Sequence, residues 1–213
     1  MKNLFVSFLL TISLFLSSCA QKNSNSQLDL DPVFVNGKDF HKAYFASGCF
    51  WCVEAIYESL IGVKQVTSGY SGGDSNNPTY ELVNTKLTGH AETIEVLYNP
   101  EIISFSNLLD IYFGTQNIDQ INGQGPDTGP QYRAIIFFQD DLQKKMIISK
   151  INEIENKTNK KVAAEIYPFR KFWIAEKYHQ NFKKNNPNHP YIKNVSDPRF
   201  KNFKFKFEDL IKD

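Results

Sequence analysis

The chain is poor in the features that would classify it at once. Of its 213 residues only three are cysteine, Cys19, Cys49 and Cys52, too few for a fold held by a disulfide framework. The four histidines, His41, His90, His179 and His189, lack the H-x(3–5)-H spacing of a zinc site, and a C-x-x-C pair alone leaves that metal two ligands short. No metal is expected. Charge of one sign is missing too: 24 basic against 23 acidic side chains argue against nucleic acid as a partner. Lys183, Lys184, Lys201, Lys204 and Lys206 make the C-terminal third locally basic, and a solvated face accounts for them. There is no internal repeat, and no apolar run reaches the roughly 20 residues that a membrane-spanning helix requires.

What is present begins with a shorter apolar stretch, Leu4 to Leu16, preceded by Lys2 and followed by Ser-Ser-Cys19-Ala. This reads as an export signal over residues 1–18 whose end resembles a bacterial lipobox, with Cys19 as the acylated first residue of the mature chain. Acyl chains hold a protein on a membrane without spanning it. The expected location is therefore a membrane-anchored lipoprotein on the periplasmic or extracytoplasmic face. Residues 19–38 open with Asn, Ser, Gln and Asp and read as a flexible tether. Residues 39–213 are aromatic-rich with interleaved charge, enough for one globular domain with its own core.

With Cys19 assigned to lipid, Cys49 and Cys52 remain as the reactive pair. An extended run, Lys42 to Ala46, stops at Ser47-Gly48, and Val53, Ile56, Tyr57 and Leu60 then recur at helical spacing. Cys49 is thus expected at a strand-to-helix turn. There the unpaired amides of the first helical turn and the helix dipole favour a thiolate, bringing titration to roughly 3.5–7.5 from about 8.5. Further strands are expected at Val63–Tyr70, Thr93–Tyr98, Arg133–Phe138 and Val162–Tyr167. Helices are expected after Ser104 and over Asp140–Asn156. That alternation predicts an α/β (α+β) domain of two layers, helices packed on a mixed sheet. Two long loops, one ending at His90 and one over Gln116–Gln131, are of a length that usually carries function. The tail from about Asn185, rich in Pro, Asn and aromatics, is expected to be irregular.

The motifs now accumulate in one order: Gly48-Cys-Phe-Trp51 with Glu54, Ser68-Gly-Tyr-Ser-Gly-Gly73, Asn77-Pro-Thr-Tyr80, Thr88-Gly-His-Ala-Glu92, Gln124-Gly-Pro-Asp127, Gly129-Pro-Gln-Tyr-Arg133 and Ala175-Glu-Lys-Tyr-His-Gln180. The set resembles the A-type peptide methionine sulfoxide reductases from Lys42 to about Phe200. That resemblance implies a ferredoxin-like plait and reduction of methionine S-sulfoxide, free or in proteins. It makes Cys49 the nucleophile on the sulfoxide sulfur, Glu92 the proton donor, Tyr80 and Tyr132 hydrogen-bond donors to the sulfoxide oxygen, and Asp127 an acidic neighbour. Phe50 and Trp51 would receive the methyl group and the sulfur on aromatic area. Family members often carry a resolving cysteine in the tail, where this chain has none. Cys52 stands instead where glycine is common, one helical turn from Cys49 and within disulfide reach, and is assigned as the resolving thiol. Gln116-Asn-Ile-Asp119 replaces a frequent His-Asp-Pro-Thr, and Gly123 a frequent basic residue. No cofactor is implied beyond an external thioredoxin-like or dithiol reductant, and a monomer is expected. Taken without the resemblance, C-x-x-C at a helix start also fits a thioredoxin-like thiol-disulfide exchanger. Cys49 with His90 or His179 fits a cysteine hydrolase. The aromatic residues fit a non-catalytic methionine-binding lipoprotein module.

Overall fold

The computed structural model describes residues 39–212 together with Pro32, Phe34 and Gly37. The signal over 1–18, Cys19 and most of the tether over 19–38 lie outside the described residues. Two layers are built from β1 (His41–Ala46), α1 (Phe50–Glu58), β2 (Val63–Ser71), α2 (Tyr80–Asn84), β3 (Ala91–Tyr98), α3 (Phe105–Gly114), the short β4 (Gly123–Gln124) and β5 (Asp127–Thr128), β6 (Ile135–Phe138), α4 (Asp141–Thr158), β7 (Glu165–Pro168), β8 (Trp173–Ile174), α5 (Phe182–Asn185) and α6 (Asp197–Lys206). The main sheet runs in the order β7-β6-β1-β3-β2-β8. Its four inner strands are antiparallel neighbours, β7 adds in parallel to β6, and β8 adds antiparallel to β2. The order β6-β1-β3-β2, with α1 after the first strand, is that of a ferredoxin-like plait.

Strand alternation sorts the side chains between two cores. Phe45, Ile94, Val96, Ile136 and Phe138 enter the larger cluster beneath the helices. Tyr44, Ala46, Ala91, Ile135 and Phe137 enter a smaller one with Phe169. Parity therefore puts Glu92, which shares a face with Ile94 and Val96, on the helical side of β3. Glu95, of opposite parity, instead accepts hydrogen bonds from Lys42 Nζ at 3.0 Å and Tyr44 Oη at 2.7 Å. The helix starts follow their caps: Ser104 and Asn107 form a reciprocal capping box on α3, and Asp140 accepts from the Gln143 amide at the start of α4.

The tail departs from the irregular course expected of it. Residues 192–196 form a wide helical turn that leads into α6. Pro198 lies where that wide turn gives way to α6, and its missing N–H leaves the ladder one bond short at the junction. Phe203 is fully buried in the larger core, with Phe200 and Phe207 packed against it. Those three rings are spaced for one helix face, and that burial makes the segment a helix. The long loop over Gln116–Gln131 is likewise partly ordered, through the β4–β5 pairing of Gly123 with Thr128 and Gln124 with Asp127.

Candidate active site

Cys49 occupies the N-cap of α1, with its carbonyl accepting from the amides of Cys52 at 3.1 Å and Val53 at 3.4 Å. The turn before it requires glycine: Gly48 has φ of 75°, and a Cβ there would lie 2.5 Å from Gln124 Cβ. The thiol is buried and makes no capping bond to an amide. The free amide at the helix start, that of Phe50, goes instead to Glu92 Oε2 at 2.9 Å.

This arrangement overturns the expected low titration of Cys49. Burial raises its thiol well above the ordinary range, and its hydrogen bond to Cys52 and the nearby Glu92 act in the same direction. Charge is carried one turn along. The hydrogen bond from Cys49 brings Cys52 down to about 6 against the opposing effect of its burial, assisted by the Arg199 guanidinium, Ser196 and Tyr191. Both thiols are unbridged. The two thiols share one hydrogen bond and titrate as a pair, with the Arg199 guanidinium favouring charge on Cys52.

Glu92 is fully buried, and burial pushes its carboxyl up to about 8; the Phe50 amide opposes that shift, while Asp127 and Cys52 reinforce it. It is protonated at neutral pH and can act as an acid. Tyr80, at the start of α2, and Tyr132, at the end of a 3-10 turn over Pro130–Tyr132, converge on the same place, since Glu92 and Cys49 both raise their phenols further after burial has done so. Both stay neutral and keep a hydroxyl proton to donate. Asp127 lies on the Cys52 side, accepting from Tyr191 Oη at 2.5 Å.

Phe50 and Trp51 part company. Phe50 is 1% exposed, with its ring 4.9 Å from His179 and 5.9 Å from Tyr70. Trp51 is half-buried, stacked on Phe182 at 3.6 Å and tied through Nε1 to His179 Nδ1 at 3.0 Å. The two histidines offered as hydrolase bases are thus engaged elsewhere. His90 accepts from the Gly73 amide at 3.1 Å and meets the Ser75 carbonyl at 2.8 Å, holding the loop that leads into Glu92. Glu54 of the first motif is also buried, held up to about 7 by that burial, with the amides of Asn181 and Phe182 opposing. It stands behind the turn that carries Phe182.

Two site residues escape sequence reasoning, and a third, Glu176, stands in the motif Ala175–Gln180 with no role read for it there. Arg199 of α6 donates to the Ser47 carbonyl, Ser47 Oγ and the Thr115 carbonyl, each at 2.9 Å. Tyr191 reaches Cys52 Sγ at 3.8 Å. With Cys52, Gln116 and Asp127 these two line a cavity of about 230 Å³. Glu176 accepts from the Tyr80 amide at 2.8 Å and from Tyr70 Oη at 2.9 Å, fixing the start of α2. None lies in a local pattern with the residue it serves; the tertiary fold alone joins them. Among the described residues no three of His, Cys, Asp and Glu gather as a metal site would need.

The model of the family "Peptide methionine sulfoxide reductase" matches residues 41–210. The peptide methionine sulfoxide reductase MsrA of Pasteurella multocida is 43% identical over 171 residues, 80% of this chain and 98% of that one. The enzyme of that name from Sulfolobus acidocaldarius is 44% identical over 167 residues, 78% and 95% respectively. Among solved structures, reduced Mxr1 of Saccharomyces cerevisiae superposes with a TM-score of 0.65 at 31% identity, covering 70% of this chain and 87% of that one. Methionine sulfoxide reductase A of Corynebacterium diphtheriae gives 0.63 at 25% identity, with 75% and 84% covered.

Proposed function

This chain belongs to the peptide methionine sulfoxide reductase family and is an enzyme that reduces methionine sulfoxide by cysteine chemistry; from that premise we propose which residues do the work. Cys49 attacks the sulfoxide sulfur. Glu92 delivers a proton to the sulfoxide oxygen, and Tyr80 and Tyr132 hold that oxygen by hydrogen bonds. The methyl group and the sulfur rest against the exposed part of Trp51, with Phe50 as the buried backing of that wall. As Cys49 attacks, its own proton passes to the Cys52 thiolate. Methionine leaves, and the oxygen stays on Cys49 as a sulfenic acid.

Cys52 then forms the Cys49–Cys52 disulfide with loss of water, and an external thioredoxin-like dithiol returns both thiols. The cycle needs two sulfurs, one carboxyl and the tyrosines, with no bound cofactor. The preferred epimer is methionine S-sulfoxide, free or within oxidised proteins. The observation that carries this reading is the buried Glu92 carboxyl, raised in titration by that burial and bonded to the first amide of the helix that Cys49 caps. Turnover of the two sulfoxide epimers with dithiothreitol tests it. Reduction of the S epimer that disappears in Cys49→Ser is expected; equal reduction of both epimers, or activity surviving in Cys49→Ser, overturns it.

The finer form is a lipoprotein, acylated at Cys19 and held on the periplasmic or extracytoplasmic side of a membrane. The run Leu4–Leu16 before Ser-Ser-Cys supports it. No helix among the described residues is long and apolar enough to cross a membrane. Partitioning into the detergent phase of Triton X-114 is expected for the expressed chain and not for Cys19→Ala; an aqueous wild-type chain sinks the proposal.

A further inference from the structure

The disulfide-forming step needs a group that can take the Cys52 proton and give one to the leaving oxygen at once. Glu92 has by then given its proton to the oxygen that rests on Cys49. Tyr191 stands where such a carrier is needed. Its hydroxyl accepts from Cys52 Sγ at 3.8 Å and donates to Asp127 Oδ2 at 2.5 Å, and the phenol is near enough to Cys49 to lower the titration of that thiol. Its ring is fixed edge-on to Trp51, with centroids 5.7 Å apart. We propose that Tyr191 is a catalytic residue of the second step, taking the proton from Cys52 and giving one to the hydroxide that leaves Cys49.

The inference rests on the assignment of Cys52 as resolving thiol. The Cys52 sulfur attacks the Cys49 sulfur, the S–S bond forms, and the S–O bond breaks with its electron pair on oxygen. Cys52 is oxidised and the Cys49 sulfur reduced, both to the disulfide level. The Cys52 proton moves to Tyr191 Oη while the phenolic proton turns from Asp127 to the departing hydroxide. One water is released and the tyrosine ends neutral, so no further acid, base or oxidant is required. Burial and the surrounding sulfur and carboxyl groups keep the Tyr191 phenol from ionising. Asp127 acts through the tyrosine and is a positioning residue, holding the hydroxyl beside the Cys52 sulfur. A phenol suits this task because one oxygen can accept and donate at the same time.

The test is a single turnover of the purified chain on methionine sulfoxide without reductant, following methionine by acid quench and disulfide by loss of free thiol. Dimedone traps any sulfenic acid. In Tyr191→Phe, which keeps the ring, the rate of disulfide formation is expected to fall at least tenfold relative to that of methionine formation, with a dimedone adduct on Cys49. Asp127→Asn is expected to shift the same ratio in the same direction, which guards against a Tyr191→Phe chain that fails to fold. An unchanged ratio in both variants, or equal slowing of both steps with no adduct, overturns the relay. Cys52→Ser separates the two levels of the argument. If it yields one equivalent of methionine and a lasting sulfenic acid, the resolving assignment stands and only the relay is at issue. If it still forms a disulfide, the assignment itself fails.

Discussion

At the scale of single residues, the site divides protons between groups that look alike in sequence. Glu92 and Glu95 stand three positions apart on β3, yet only Glu92 points beneath the helices, and only there does burial lift a carboxyl to about 8. Folding therefore binds a proton that the unfolded chain, with its carboxyl near 4.5, has lost. Stability conferred by that proton is full below about 4.5, declines as pH rises, and is gone above about 8. Glu92→Gln removes the dependence. Its melting temperature is expected to gain on the wild type by an increment that grows from pH 4.5 to 8 and then levels off, equivalent to a few kcal/mol. Thermal melts across that range check it. The same substitution removes the acid, and the rate of methionine formation should fall by about 100-fold or more; in the wild type that rate should decline above about pH 8 as the carboxyl ionises.

At the scale of elements, the turn between β1 and α1 depends on a close approach. Gly48 and Gly125 share a left-handed backbone, with φ of 75° and 59°, but a Cβ meets Gln124 at the first and nothing within 4 Å at the second. Gly125→Ala is expected to cost only the backbone strain, about 1–2 kcal/mol, and Gly48→Ala clearly more, with loss of activity because Cys49 is the next residue. Urea denaturation of the two variants, read beside turnover, separates the contributions. The N-cap of α4 offers a control far from the chemistry: Asp140→Ala should cost about 1 kcal/mol and leave turnover as it was.

The regular elements were largely legible in the sequence. Short extended runs marked β1 to β3, Ser104 announced the helix after it, and the amphipathic run over Asp140–Asn156 marked α4. α6 was hidden, because Lys and Asn between its phenylalanines mask a face that becomes apolar only against the finished core. The candidate site was half legible for a related reason. Motifs name Cys49, Glu92, Tyr80, Tyr132 and Asp127, whereas Tyr191 and Arg199 serve Cys52 and Ser47 from 139 and 152 positions away. The titration of Cys49 departs from expectation for the same reason, because burial in the finished core outweighs the helix start. A helix start does offer amides, but which acceptor takes them is decided by β3, which places Glu92 there.

At the scale of the whole molecule, Arg199 ties the end of the chain to its beginning. One guanidinium fixes Ser47 before the nucleophile and Thr115 after α3, and its charge helps to hold Cys52 ionised. Arg199→Met should therefore raise the titration of Cys52, seen as a later rise of thiolate absorbance near 240 nm with pH, and should lower the melting temperature as buried carbonyls lose their donor. An unchanged thiolate titration would show that the guanidinium matters for packing alone.

That tie also sets an order in time. A chain is made from its N-terminus, so Cys49 and Cys52 exist long before Tyr191 and Arg199 are joined to it. Until α6 docks, Cys52 lacks the neighbouring cation and the phenol that help to hold its charge, and Cys49 lacks the partner that takes its proton. The two thiols thus leave synthesis without the neighbours that tune them. Their tuning arrives with the last helix, so the docking of α6 also arms the enzyme.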